Sequence, residues 1–237
     1  MARWLENTSC PHCGSKDNLA VYDDGSKWCW GCRYYEPAQG LQRVKSILFN
    51  KIDTNKSTVM LPPDSTYKIE DMHISWLRNY GITNKEIIKF GLMSCKEGLV
   101  FPVLNKDILI YYQIRRFNQV PKVRGVGKKP LVIYNPNNIT SEYVVVVEDP
   151  TSAMKISRVC PVVPLFGTYL SMEAMQSLSK RFSKLVVWLD ADKSKEGLRQ
   201  ATRGSWLFKR GFRIVRTELD PKCYNEFQID KEITGNV

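Results

Sequence analysis

Two cysteine pairs, Cys10-Pro11-His12-Cys13 and Cys29-Trp30-Gly31-Cys32, stand fifteen residues apart. No other feature of the chain restricts its fold as tightly. Each CxxC turn can present two sulfurs to one ion, and four thiolates at about 2.3 Å close a tetrahedron with no position left for substrate. The predicted ion is a structural zinc, held by Cys10, Cys13, Cys29 and Cys32. It replaces the hydrophobic core that a module of about 40 residues cannot build. His12, inside a CxxC, is read as a bystander. Cys95, Cys160 and Cys223 are scattered and are read as small buried apolar residues. Trp28, Trp30, Tyr34 and Tyr35 flank the second pair, with Lys27 and Arg33 among them. Interleaved rings and cations suit stacking on single-strand bases and contact with phosphate. The same rings can also cover the metal, and at least one is expected to be exposed.

The net charge of +11 on 237 residues favours a polyanionic partner. The hydrophobic fraction of 43% and charged fraction of 25% are those of an ordinary globular chain. Met1 to Glu6 has no apolar signal-peptide core, and no apolar run approaches the roughly 20 residues of a membrane span. A cytoplasmic protein with reduced thiols and no membrane partner is expected.

Four segments follow from composition and periodicity. Residues 1–40 form the ribbon, 41–63 a connector, 64–142 a basic subdomain and 143–237 an α/β subdomain. In the connector, 41–48 can be a short helix, 50–57 is polar, and Pro62-Pro63 closes the stretch. Trp76, Leu77, Ile82, Ile87, Ile88 and Phe90 recur at helical spacing, broken at Gly81; 99–103 and 108–114 read as strands. From residue 143 the rhythm changes. Strands over 144–147, 162–166, 185–189 and 212–215 alternate with helices over 152–159, 171–182 and 195–210. That alternation predicts a mostly parallel sheet covered on both faces.

Val144 to Val147 ends in Glu148, and Leu185 to Leu189 ends in Asp190-Ala191-Asp192. Residues two apart on an extended strand share a face, so Asp190 and Asp192 are expected to converge. Glu148 would join them at the carboxyl edge of the sheet, where open α/β folds place their sites. Three clustered carboxylates repel one another; a hard divalent cation, magnesium or manganese, removes that cost and supplies phosphoryl chemistry.

A glutamate after one strand and Asp-x-Asp after a later one resemble the signature of the Toprim domain of bacterial-type primases, topoisomerases and some nucleases. The resemblance extends upstream. Trp76-Leu77-Arg78-Asn79-Tyr80-Gly81-Ile82-Thr83, Gly98 to Val103, and the basic stretch from Tyr112 to Pro130 look like the subdomain that precedes Toprim in primases. The N-terminal ribbon is similar too. The order of ribbon, basic subdomain and Toprim is that of bacteriophage primases and spans nearly the whole chain. Two departures stand out. Glu148 is followed by Asp149-Pro150 where many members have glycine. The further acidic residue that members often carry is Asp220, a weak candidate, or Glu226.

No acidic residue lies between Asp107 and Glu142, where Arg115, Arg116, Lys122, Arg124, Lys128 and Lys129 cluster. Gly125 and Gly127 are expected to let the backbone approach a phosphate. The strip would hold triphosphate, template or primer beside the metal. The resemblance implies a DNA primase, making short RNA primers from nucleoside triphosphates on single-stranded DNA. Trp28 and Trp30 would contact the template. The helicase motor fused to some phage primases has no counterpart in these residues, so a separate replicative helicase and polymerase are the expected partners, in the host cytoplasm if the protein is viral. The rivals are a Toprim nuclease and a non-catalytic zinc-ribbon single-strand binding or loading factor; a topoisomerase lacks room for its tyrosine-bearing domain. For the ribbon, Cys29→Ser is expected to release zinc and unfold residues 1–40 while the remainder stays folded. Metal analysis with limited proteolysis checks this, and wild-type protein without zinc would contradict it.

Overall fold

The computed structural model describes residues 3–36 and 59–235. The expected helix over 41–48 and most of the connector lie outside the described residues. The described residues fall into two compact units, and each is taken by itself.

The ribbon is a four-stranded antiparallel sheet in sequential order: β1 (Trp4–Thr8), β2 (Leu19–Tyr22), β3 (Lys27–Cys29) and β4 (Tyr35–Glu36). Its apolar core is small: Cys10, Leu19 and Cys29 are buried, with Cys32 and Tyr34 packed against them. The same turn is made twice. Gly14 N–H donates to the Cys10 carbonyl and Arg33 N–H to the Cys29 carbonyl, each at 2.9 Å. Both residues have left-handed backbones, φ 70° at Gly14 and 61° at Arg33.

The larger unit opens with α1 (Asp71–Asn79) and α2 (Asn84–Lys89). A capping box starts α2: Thr83 Oγ1 accepts from Glu86 N, and Glu86 Oε2 accepts from Thr83 N. An antiparallel sheet follows, of β5 (Met93–Cys95), β6 (Gly98–Asn105), β7 (Ile108–Arg115) and β8 (Val123–Gly127), again in sequential order. The basic strip is therefore largely a hairpin. Its Gly125 is exposed, and a Cβ there would lie 2.2 Å from the Tyr111 hydroxyl, so the missing side chain makes room for that ring.

The chain then builds β9 (Tyr143–Val147), α3 (Pro150–Ile156), β10 (Val162–Pro164), α4 (Met172–Ser179), β11 (Lys184–Val187), α5 (Ser194–Gly204), β12 (Phe212–Ile214) and α6 (Glu226–Thr234). The four strands are parallel, in the order β10-β9-β11-β12. Alternate valines serve opposite faces. Val144 and Val146 pack with Met175, Leu178 and Phe208, while Val145 and Val147 pack with Ile156, Ile229 and Ile233. Helix α3 starts two residues before the expected position because Asp149 caps it, accepting from Thr151 N and Ser152 N, with Pro150 in its first turn. The expected helix over 195–210 stops at Gly204 and gives way to a 3-10 turn at Ser205–Leu207. Sequence reading omitted α6, although Asn225 and Gln228 form a second capping box.

Helix α3 is wholly buried, and its Met154 belongs to the upstream core with Leu77, Ile82, Leu99 and Phe101. Just beyond it, Arg158 grips Glu86 at 2.6 and 2.7 Å and the Gly81 carbonyl at 2.7 Å, tying α2 to the parallel sheet. Cys95 and Cys160 are buried as expected, but Cys223 is exposed; it lies in a surface turn, Pro221–Cys223, rather than in an element that packs. Among the described residues, no helix is long and apolar enough to cross a membrane.

One close approach ties the sheet to the basic strip. Gly98 has φ +146°, and a Cβ there would meet the Arg115 carbonyl oxygen at 2.1 Å. Gly98→Ala is expected to destabilise the larger unit by roughly 2–4 kcal/mol, since both backbone strain and overpacking follow. Denaturant unfolding measures it.

Candidate active site

In the ribbon the four cysteine sulfurs lie within 4.8 Å of one another. Two of the edges, Cys10 to Cys32 and Cys13 to Cys29, are each 3.7 Å. A tetrahedron of about 2.3 Å metal–sulfur bonds has edges of about 3.8 Å, so the four thiols fit zinc. Backbone and side-chain donors of Ser15 hold the Cys13 thiol down at about 6, and the Cys32 N–H lowers Cys29. Burial, then the neighbouring thiols, pushes Cys32 up to about 12. His12 stacks on Tyr34 at 5.6 Å. Trp28 meets Trp30 edge-on and lies tilted against Tyr35. Trp30 is 67% exposed and Tyr35 41%, so these two rings remain open beside the cysteine cluster.

In the larger unit Glu148 follows β9 and Asp190 comes three residues after β11, at the carboxyl edge of the parallel sheet. The expected pairing of Asp190 and Asp192 on one strand face does not occur. Strand β11 ends at Val187 and a 3-10 turn occupies Ala191–Lys193, so the alternation of an extended chain no longer applies. Asp190 turns inward. The Asp192 side chain is 71% exposed and pairs with Lys193 at 2.5 Å. Asp220 lies beside Asp190 and accepts from Ala191 N at 3.3 Å. Glu226 instead starts α6 and pairs with Arg158 at 3.4 Å. Among the described residues, only the four cysteines bring three or more ligand atoms within 4.8 Å; the carboxylates are more widely spread.

Among them lies a basic residue that no pattern along the chain singles out. Lys222 Nζ sits among the acids, 2.8 Å from Asp220, 3.3 Å from Asp149 and 3.4 Å from Asp190. Burial opposes its charge, but Asp149, Asp220 and Asp190 outweigh that and hold it protonated well above the usual lysine range. Asp190 is pushed up to about 7, first by burial and then by Asp149, with Lys222 opposing. Glu148 is raised by burial and by Asp149. Glu148 Oε2 and Asp190 Oδ1 are buried with no hydrogen-bond partner. Two orphaned carboxylate oxygens at one sheet edge fit a hard divalent cation. A cavity of about 270 Å³ opens alongside, lined by Asp190, Leu189, Gly197, Ile214, Val215 and Thr217.

The basic strip is less uniformly open than its sequence implies. Arg116 and Arg124 both pair with Glu97, at 3.1 and 2.6 Å, an acid that lies outside the strip in sequence. Arg115 lies over the Trp76 ring at 5.4 Å; Trp76 meets Tyr80 edge-on, and Tyr80 faces Lys222 at 5.9 Å. An aromatic chain thus runs from the strip to the acidic cluster. Lys122, Lys128 and Lys129 are exposed, and the Lys129 ammonium lies against Gly167, whose N–H donates to the Glu148 carbonyl.

The fold of this chain, a cysteine ribbon with an antiparallel and a parallel sheet, is shared with primase fragments of known structure. Among solved structures the chain is similar to the zinc-binding and RNA polymerase domains of Aquifex aeolicus primase, with a TM-score of 0.61 and 16% identity over 97% of this chain and 78% of that one. It is also similar to the primase fragment of the bacteriophage T7 primase-helicase protein, with a TM-score of 0.50 and 15% identity over 98% of each. A DnaG catalytic core matches at a TM-score of 0.54 and 16% identity over 70% of each chain. At these identities the likeness is one of fold. No protein-family model and no curated protein sequence matches the chain.

A pH dependence follows from Asp190. Its carboxyl holds a proton more tightly in the folded protein, at about 7, than at its ordinary 3.8. Ionising it therefore costs the folded state, and stability contributed below about pH 4 is lost as pH rises towards 7. In chelator, Asp190→Asn is expected to flatten that decline; thermal melting of both proteins from pH 4 to 8 tests it.

Proposed function

We propose that this chain is a DNA primase, making short RNA primers on single-stranded DNA. The observation that carries the reading is the pair of orphaned oxygens, on Glu148 and Asp190, at the carboxyl edge of a sheet whose fold is shared with primase fragments along nearly the whole chain. Glu148, Asp190 and, from the rim, Asp192 would hold magnesium or manganese. When bound, such an ion stabilises charge on the transferring phosphoryl group and lowers the pKa of the attacking hydroxyl. The reaction is attack of a primer 3′-hydroxyl on the α-phosphate of a nucleoside triphosphate, with release of pyrophosphate.

The protein's own groups position the reactants. Lys122, Lys128 and Lys129 attract phosphates, while Arg116 and Arg124, held by Glu97, present fixed guanidinium groups, and Arg115 rests on Trp76. Trp30, with Trp28 behind it, offers a ring for template bases to stack on. The zinc of the ribbon has no chemical step of its own. A separate helicase and polymerase would open the strand and extend the product.

Asp190→Asn removes charge with little change of shape. Primer synthesis from labelled nucleotides on single-stranded templates is expected to fall by about a hundredfold or more, while single-strand binding persists. Normal synthesis by the variant would leave a single-strand binding or loading factor as the better reading. Metal-dependent cleavage of labelled DNA by the wild type, without synthesis, would make it a nuclease.

A further inference from the structure

The acidic cluster is divided atom by atom. After β12 the chain reaches Asp220 and enters the 3-10 turn Pro221–Cys223, which brings Lys222 back among the acids with its side chain only 12% exposed. Its ammonium meets Oδ2 of Asp149, of Asp190 and of Asp220. The other oxygens of two of these residues are already used. Asp149 Oδ1 accepts from the Thr151 and Ser152 N–H groups, and Asp220 Oδ1 from Ala191 N–H. Only Asp190 divides between the two sides: its Oδ2 faces Lys222, and its Oδ1 is buried without a partner, as is Glu148 Oε2. Three carboxylates are thus committed to a cation that belongs to the chain, and the oxygens left unsatisfied, Asp190 Oδ1 and Glu148 Oε2, are not the ones that meet it.

We propose that the Lys222 ammonium stands in for one of two cations, so that the cluster takes a single divalent ion, through Asp190 Oδ1 and Glu148. The inference rests on the reading of these acids as a metal site given above. Glu148, Asp149, Asp190, Asp192 and Asp220 face two ammonium groups, Lys222 and Lys193, so the ionised cluster keeps an excess of negative charge that calls for a divalent ion. A second ion would have to approach Asp190 Oδ2 against a buried like charge, where repulsion is poorly screened. Lys222 is in this sense a resident counter-ion. It holds Asp149 and Asp220 against Asp190 and leaves one face of Asp190 for metal.

The experiment counts ions. Zinc-loaded protein, free of nucleotide, is titrated with manganese, and free manganese is read by electron paramagnetic resonance. The wild type is expected to take one equivalent at the site and Lys222→Met to take two. In chelator, Lys222→Met is expected to melt lower by roughly 5 °C or more, because it leaves buried carboxylates unpaired, and added manganese should recover much of that loss. Should the methionine variant fail to fold, Lys222→Gln takes its place, and the wild-type count still decides. Two equivalents on the wild type, or one on both proteins, would overturn the role of Lys222 while leaving the metal site intact. No manganese on either protein would instead bring down the metal reading itself, and this inference with it.

Discussion

Helix α3 has no solvent face, and much of the larger unit is arranged around that fact. A seven-residue helix buried on all sides cannot send its first N–H groups to water, so something in the protein must accept from them. Asp149 does so with one oxygen and gives the other to Lys222, which fixes an acid–base cluster at the helix start. At the far end Arg158 binds Glu86 and the Gly81 carbonyl. Between them, Met154 fills the upstream core and Ile156 the core of the parallel sheet. One short helix therefore joins two hydrophobic cores and sets the position of Glu148, the residue just ahead of its cap.

The chemistry of the site grows from the same burial. Water is too scarce at the sheet edge to solvate Asp190 and Glu148, and neighbouring acids add to the cost, so their carboxyls are raised. A cluster of this kind is stable only with positive charge inside it. Lys222 supplies part, and the two orphaned oxygens mark where more is required. The basic strip obeys the same logic in reverse: Glu97 gathers Arg116 and Arg124, and aromatic faces carry Arg115, so the guanidinium groups are held in place rather than left to sweep through solvent.

Several readings from sequence depended on patterns that end before the residue of interest. Asp-x-Asp implies a shared face only while the strand lasts, and β11 ends at Val187. Nothing in the linear pattern shows that Gly125 makes room for Tyr111, which lies diagonally from it on the neighbouring strand. Asp149-Pro150 read as a departure from glycine, though an acid before proline is itself a helix-start signal. The capping box of Asn225 and Gln228 was equally legible and marks α6.

What the sequence determined by itself was whatever short-range spacing controls. Two CxxC pairs define a four-sulfur cage, since each turn closes within a few residues. The run Val144 to Val147 defines a strand buried on both faces, since a half-exposed strand would alternate. Tertiary structure alone decided which charges meet. Lys222 lies 73 residues from Asp149 and 32 from Asp190, and Arg158 lies 72 from Glu86. Coulomb and hydrogen-bond energies depend on distance in space, and folding sets that distance by packing two cores around one helix, a geometry that no local pattern along the chain encodes.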